Sequence, residues 1–482
     1  MIAEPREWGA NPQILAAGQR VLELFASVQG TPEQFPLWYA SDSIAARTQD
    51  PASMPEHGQS LDDTLAQAVE LMQQGLCNVS HPLYFGYISP RPHPAAVLGD
   101  FLGSALNQTP GAWRAGPSAT MVEVEVLHAL RSLFGLDPVV GRLPGGVFTG
   151  GGTLANLIGL KLAREQLHRQ HPEMRRAGGL GPRIYMSREG HFSIAKALDV
   201  LGFAADALVE IDTDEQGALL PEQLELRLAH DVALGYTPMC LIGVLGTTAT
   251  GAIDPLRRIG ELARRYNAWF HIDGAAGLAL AALPEARRHM QGLSDADSIT
   301  FDPCKWMFAS FGVGCLLVRN GEVLGSSFWA GGPYWEELGE LDTFKMNLYG
   351  TRQFRSLGVW CLLQHLGLEG YRQLLRNMTG ATAHLRALLS ADPAYRLIPD
   401  QQIMPVVAFR PVTASAECVT RLVALCQQRN LAYPSVLEWN GERYIRVAIS
   451  NYQTSTLDVE RFKQALDGLL HELGFSPLPR IL

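Results

Sequence analysis

The sequence predicts an α/β fold built around a mainly parallel sheet. Three observations point there. Between residues 85 and 375, short apolar runs alternate with stretches whose apolar residues recur at helical spacing. The runs are almost continuously apolar, as in Cys240-Leu241-Ile242-Gly243-Val244-Leu245, which is how strands buried on both faces read. Polar or glycine-rich blocks follow several of them, where a parallel sheet gathers its functional groups.

A chain of 482 residues, 47% hydrophobic and 18% charged, is long enough for one large domain and smaller lobes. A net charge of -9 without a basic stripe gives no footprint for nucleic acid. The opening Met1-Ile2-Ala3-Glu4-Pro5-Arg6-Glu7 lacks a secretory pattern, and no run approaches the ~20 apolar residues of a membrane span. A soluble cytoplasmic protein without membrane or nucleic-acid partners is expected. The seven cysteines form no CxxC pair and no zinc spacing, so reduced thiols and no metal site are expected.

Residues 1–84 read as a helical segment. Ile14, Leu15, Val21, Leu22, Leu24 and Phe25 form one stripe; Ser60-Leu61-Asp62-Asp63 opens a second helix carrying Leu65, Val69, Leu71 and Met72. Two such helices bury little alone and are expected to pack on another lobe or on a partner subunit. Residues 85–375 form the large domain, with strands expected at 147–148, 183–186, 240–245, 269–272 and 298–301. Residues 376–482 read as a small α+β domain, with strands at 406–409 and 444–449 and helices near 415–429 and 457–473.

The chemistry lies after the strands. Trp269-Phe270-His271-Ile272 delivers Asp273, and Ser298-Ile299-Thr300-Phe301 leads into Asp302-Pro303-Cys304-Lys305-Trp306. A lysine amine and a carboxylate from neighbouring parallel strands suit pyridoxal 5'-phosphate: the amine forms an imine with the aldehyde, and the carboxylate holds a proton on the pyridine nitrogen. Gly150-Gly151-Gly152-Thr153 follows Val147-Phe148 and opens a helix, whose free N–H groups and dipole suit a phosphate; an ordinary glycine turn reads the same way. His191 follows the strand ending at Met186, where an imidazole is placed to stack on a flat ring. Leu245-Gly246-Thr247-Thr248 offers threonine hydroxyls, or serves as a polar strand-to-helix loop.

This ordered set of motifs resembles the pyridoxal-phosphate-dependent group II amino-acid decarboxylases, which include aromatic-amino-acid, glutamate, cysteine-sulfinate and diaminobutyrate decarboxylases. The likeness runs from His81-Pro82 to Phe354-Arg355-Ser356-Leu357 and includes Arg446 to Asn451. It implies the fold type I architecture with a seven-stranded sheet, and a homodimer with shared active sites. It makes Lys305 the Schiff-base lysine, Asp273 the pyridinium partner, and His191 the stacking group, with Ala275 on the opposite ring face. It places Gly151, Gly152, Thr153, Thr248, Asp302 and Cys304 around the cofactor, and gives Tyr334 the protonation of the product α-carbon. Cys304 stands where the family usually has histidine beside the phosphate. Tyr87 and Ile88 fall where the side-chain pocket is built, and Arg352 falls near the site. An aromatic amino-acid substrate is slightly favoured by Tyr87 and Ile88; Arg91 and His93 suit an acidic side chain or face solvent, and Ala105-Leu106-Asn107-Gln108 is closer to the non-aromatic members. Aldehyde synthesis and a non-catalytic role are the alternatives, and Tyr334 and Lys305 weigh against them.

Overall fold

The computed structural model describes residues 12–38, 54–175, 181–328, 339–401 and 403–474. Its centre is a seven-stranded sheet made of β1 (Gly146–Thr149), β2 (Pro182–Ser187), β3 (Leu208–Ile211), β4 (Thr237–Val244), β5 (Trp269–Asp273), β6 (Ser298–Phe301) and β7 (Gly314–Val318). The strand order is β1-β7-β6-β5-β4-β2-β3. Only β7 runs against its neighbours; β3, β2, β4, β5 and β6 pair in parallel.

Alternating side chains enter opposite layers, as the two-residue strand period demands. Cys240, Ile242 and Val244 join one apolar cluster with Leu316 and Val318, whereas Leu241 joins the other with Cys315 and Leu317. The helices Gly152–Gln170 and Ser193–Val200 cover the first face through Ile158, Leu162, Ile194 and Leu198. Pro117–Phe134, Pro221–Ala233 and Leu256–Arg265 cover the second through Val126, Leu228 and Ile259. Both faces are therefore dry, which explains the uninterrupted apolar runs.

The C-terminal region adds a four-stranded antiparallel sheet in the order β10-β11-β9-β8, where β8 is Tyr395–Leu397, β9 Val406–Pro411, β10 Ser435–Trp439 and β11 Glu442–Ala448. Its helices Ala416–Gln428 and Thr456–Glu472 begin at Ser415 and Ser455, each accepting a backbone N–H; Ser455 and Asp458 form a full capping box. The expected boundary at 375/376 falls inside one long helix, Ser356–Ser390, whose single non-helical residue is Gly367 at φ 60°. That helix carries Leu375 and Leu385 into the same cluster as Phe409, Val447 and Leu241.

The N-terminal helices form at Pro12–Gly30 and Leu61–Gln74, joined by an Arg20–Asp62 ion pair. Ser60 caps the second, and no residue of that helix is buried. Leu15, Leu22 and Met72 are exposed, so this segment presents apolar surface without a partner inside the chain's described residues. Among the described residues, no helix is long and apolar enough to cross a membrane.

Candidate active site

The exits of β4, β5 and β6 converge on the N-terminus of the helix Gly152–Gln170. The Leu245 N–H donates to the Asp273 carbonyl (2.8 Å), and the Asp302 N–H donates to the Ala275 carbonyl (3.0 Å), which ties the three exits together. They border a cavity of about 240 Å³, lined by Ile88, Gly152, Thr153, Asn156, Glu189, His191, Ser193, Val244, Gly246, Thr248, Asp273, Ala275, Ala276, Asp302 and Lys305.

Lys305 sits one turn beyond Asp302, with its N–H on the Asp302 carbonyl (2.9 Å). Its Nζ lies 3.1 Å from Asp302 Oδ2. Burial pulls the Lys305 pKa down, but the charges of Asp302 and Asp273 more than offset it and hold the amine above its ordinary value. Burial raises the Asp302 carboxyl in turn, against the pull of Lys305. Asp302 Oδ1 is buried with no hydrogen-bond partner. The carboxylate rests against the helix start so closely that a Cβ at Gly152 would lie 2.7 Å from Oδ2. Only glycine permits that approach.

Asp273, at the end of β5, accepts from the Ala275 N–H at Oδ1 (3.2 Å) and from Asn156 Nδ2 at Oδ2 (2.9 Å). The His191 Nδ1 accepts from the Ser193 N–H (3.2 Å), which fixes the ring and leaves its proton on Nε2. Burial lowers the His191 pKa, with Asp273 opposing, so the imidazole is neutral at physiological pH. A lysine amine, an aspartate carboxylate, a neutral imidazole and a glycine-led helix start are the groups that an aldehyde, a pyridine nitrogen, a flat ring and a phosphate respectively require. The donor set fits pyridoxal phosphate.

Several expected residues lie elsewhere. The Arg352 guanidinium is buried in a two-pronged ion pair with Glu123 and also reaches Thr343 Oγ1 (3.1 Å), so it is committed within the fold. It lines separate cavities beside Gly150 and Gln108, not the one holding Lys305. Both of its Nη groups are held by Glu123 and Thr343, so the fork faces the fold and not the cavity that holds Lys305. Cys304 is buried in the apolar core, its thiol pKa pushed up to about 12 by burial, and it does not line the cavity. Tyr87 is 65% exposed and off the cavity wall, while its neighbour Ile88 lines it. Gly151 caps the helix start at φ 148° without lining the cavity. Tyr334 lies outside the described residues.

Two groups have a place here that the sequence did not assign to them. Asn156, inside the apolar stretch Leu154-Ala155-Asn156-Leu157-Ile158, is a buried polar residue on the sheet-facing side of its helix. Arg446 interrupts the apolar run of β11, is 5% exposed, and donates from Nε to the Thr248 carbonyl (2.8 Å). Its Nη2 is buried without a partner, and burial pulls its pKa down to about 10. A lone charge in a buried strand was the signal.

Comparison with known proteins agrees with this chemistry. Residues 43–412 match the family described as pyridoxal-dependent decarboxylase conserved domain. Aromatic-L-amino-acid decarboxylase of Bacillus atrophaeus is 27% identical over 471 residues, covering 95% of this chain and 96% of that protein. L-2,4-diaminobutyrate decarboxylase of Acinetobacter baumannii is 28% identical over 380 residues, covering 74% and 72% respectively. The crystal structure of Catharanthus roseus tryptophan decarboxylase with L-tryptophan superposes with a TM-score of 0.87 at 23% identity, covering 96% of this chain and 99% of that one. Since the matched region spans well over half of its 482 residues and contains the amine, carboxylate and imidazole gathered on one cavity, the chain belongs to the pyridoxal-dependent decarboxylase family.

Proposed function

We propose that the protein, a pyridoxal-phosphate-dependent amino-acid decarboxylase, converts an aromatic L-amino acid to its amine and carbon dioxide, working as a homodimer in the cytoplasm. The observation that carries the substrate class is the state of the two basic side chains that follow Ile88. Arg91 is consumed by Gln29 and Gln453, and His93 caps the helix Pro94–Leu106 and packs on His365 and Tyr452. Lys305 is the sole cationic side chain on the cavity wall among the described residues, and Arg446, behind Thr248, is assigned to the α-carboxylate, so an acidic side chain finds no further cation there, whereas Ile88, Val244 and Ala276 suit a flat apolar ring. A diamino acid is the second reading, favoured by the Glu189 carboxylate on the same wall. Exposed Leu98, Phe101, Leu102 and Leu106 on one helix, with Met121 beyond it, support the homodimer.

The chain's own residues divide the work. Bound pyridoxal phosphate supplies the electron sink for the departing carboxylate. Lys305 is the amine that would hold it, and that would give up this place to the substrate amine. Gly152 and Thr153 would hold the phosphate end, Asp273 the pyridine nitrogen, and His191 and Ala275 the ring. Arg446 receives the substrate carboxylate through its unpartnered Nη2, and Tyr334 returns a proton to the α-carbon. The test is carbon dioxide release from each standard and diamino acid, with amine, aldehyde and hydrogen peroxide measured together. Phenylalanine, tyrosine, tryptophan or their hydroxylated relatives should turn over best with amine alone; a preference for glutamate or aspartate would refute the substrate class. Arg446→Met should lower kcat/KM by about tenfold to a hundredfold, the worth of a charge-assisted hydrogen bond, mainly through KM. Steady-state kinetics check it.

A further inference from the structure

Behind Asp273 lies a buried chain of polar side chains with no solvent access. The Trp269 Nε1–H donates to Ser298 Oγ (2.8 Å), Ser298 Oγ meets His271 Nδ1 (2.7 Å), and His271 Nε2 meets Asn156 Oδ1 (3.0 Å). Asn156 Nδ2 then divides between Asp273 Oδ2 and Ser193 Oγ, each at 2.9 Å. Strand alternation brings the set together: Trp269, His271 and Asp273 share one face of β5, and Ser298 pairs with His271 in register on β6. A Cβ at Gly159 would lie 2.8 Å from the His271 ring, so the helix is cut away to admit the imidazole.

The two ends of this chain allow no choice of polarity. An indole nitrogen only donates, and a carboxylate only accepts. Asn156 must therefore turn its amide nitrogen to Asp273 and its oxygen to His271, which obliges His271 to carry its proton on Nε2. The Nδ1 lone pair then takes the Ser298 hydroxyl proton, and the Ser298 oxygen is left to accept from Trp269. Every donor meets an acceptor in this one arrangement. Burial lowers the His271 pKa to about 4, in keeping with a neutral ring carrying a single proton.

We propose that Trp269, Ser298, His271 and Asn156 are positioning residues that form a one-way relay, fixing the Asn156 amide so that its N–H holds Asp273 with the free edge of the carboxylate toward the cofactor's ring nitrogen. The inference rests on the pyridoxal phosphate reading above. Without the relay, the amide is free to flip and set its oxygen against the carboxylate, and Asp273 turns away from it. Ser298 has no contact with Asp273, so its effect must travel through Asn156.

The experiment titrates apo-protein with pyridoxal phosphate and follows the visible band of the bound cofactor. Asn156→Asp, isosteric but without the donor, should weaken binding by about tenfold to a hundredfold. Ser298→Ala should weaken it by about threefold to tenfold and shift the visible band, yet have no effect in an Asn156→Ala background. Additive losses in that double-mutant cycle, or unchanged binding and band in both single variants, would overturn the relay. Should Ser298→Ala fail to fold, judged by melting of the apo-protein, Trp269→Phe takes its place in the same cycle. Failure of both to fold would also overturn it, by marking the set as scaffold. A wild-type protein with no visible band would instead refute the cofactor reading beneath it.

Discussion

Lys305→Ala is expected to turn over at least about a thousandfold more slowly than wild type, since it removes both the covalent anchor and a proton-transfer group. Borohydride reduction followed by peptide mapping should find the cofactor on Lys305 in the wild type and on no residue in the variant. Label at another lysine would refute the assignment. The substitution should leave the fold intact, and the surroundings of Asp302 explain how. Its carboxylate loses a partner at 3.1 Å while its Oδ1 already has none. Removing one member of a buried pair is costly, but the Lys305 side chain keeps 27% of its surface, so a loss of roughly 1–3 kcal/mol is expected. Burial already raises the Asp302 pKa against the opposing pull of Lys305, and without the ammonium the rise grows. The native state then binds a proton that the unfolded chain releases, so stability falls as pH climbs above the ordinary carboxylate range. The variant should melt closer to wild type near pH ~5 than near pH ~8, a difference that differential scanning fluorimetry resolves.

Much of the fold was legible because both faces of the central sheet are covered. Strands such as β4 and β6 have no solvent side to interrupt their apolar runs, and the residues beyond them stand out as polar. The short β3 was missed because Leu208–Ile211 alternates with an exposed Glu210 near the sheet edge and carries too little apolar length to read as a strand. Lys305 and Asp273 could be found because each lies directly beyond a readable strand. The ion pair of Arg352 was not legible because its partner, Glu123, stands 229 residues earlier, and no local pattern tells a paired guanidinium from a free one. The burial of Cys304 was not legible because a neighbour in sequence need not be a neighbour in the cavity: the turn from Asp302 to Lys305 sends Lys305 into the site and Cys304 into the core. Asn156 and Arg446 stayed hidden because their meaning comes from contacts with Asp273 and Thr248 across more than a hundred residues.

Asp273→Asn separates charge from shape at the second essential group. The substitution keeps the volume but puts an amide where Asn156 Nδ2 and the Ala275 N–H both donate. One oxygen cannot face both. If it faces Asn156, the new NH₂ opposes the Ala275 N–H, and a buried donor goes unsatisfied at a cost of about 1–3 kcal/mol. That penalty lowers stability, yet it is the smaller effect. Loss of the negative charge removes what keeps a proton on the cofactor's ring nitrogen, so kcat should fall by at least about a hundredfold and cofactor affinity by about tenfold. Asp273→Glu, which keeps the charge on a longer arm, should recover part of the affinity but little of the rate. The same charge also helps to hold the Lys305 pKa up. Without it the amine should deprotonate at lower pH, and covalent trapping of pyridoxal phosphate, followed against pH, should shift downward in Asp273→Asn. A trapping profile that does not move would mean that Asp302 alone sets the protonation of Lys305, and the electrostatic link between the two carboxylates would have to be discarded.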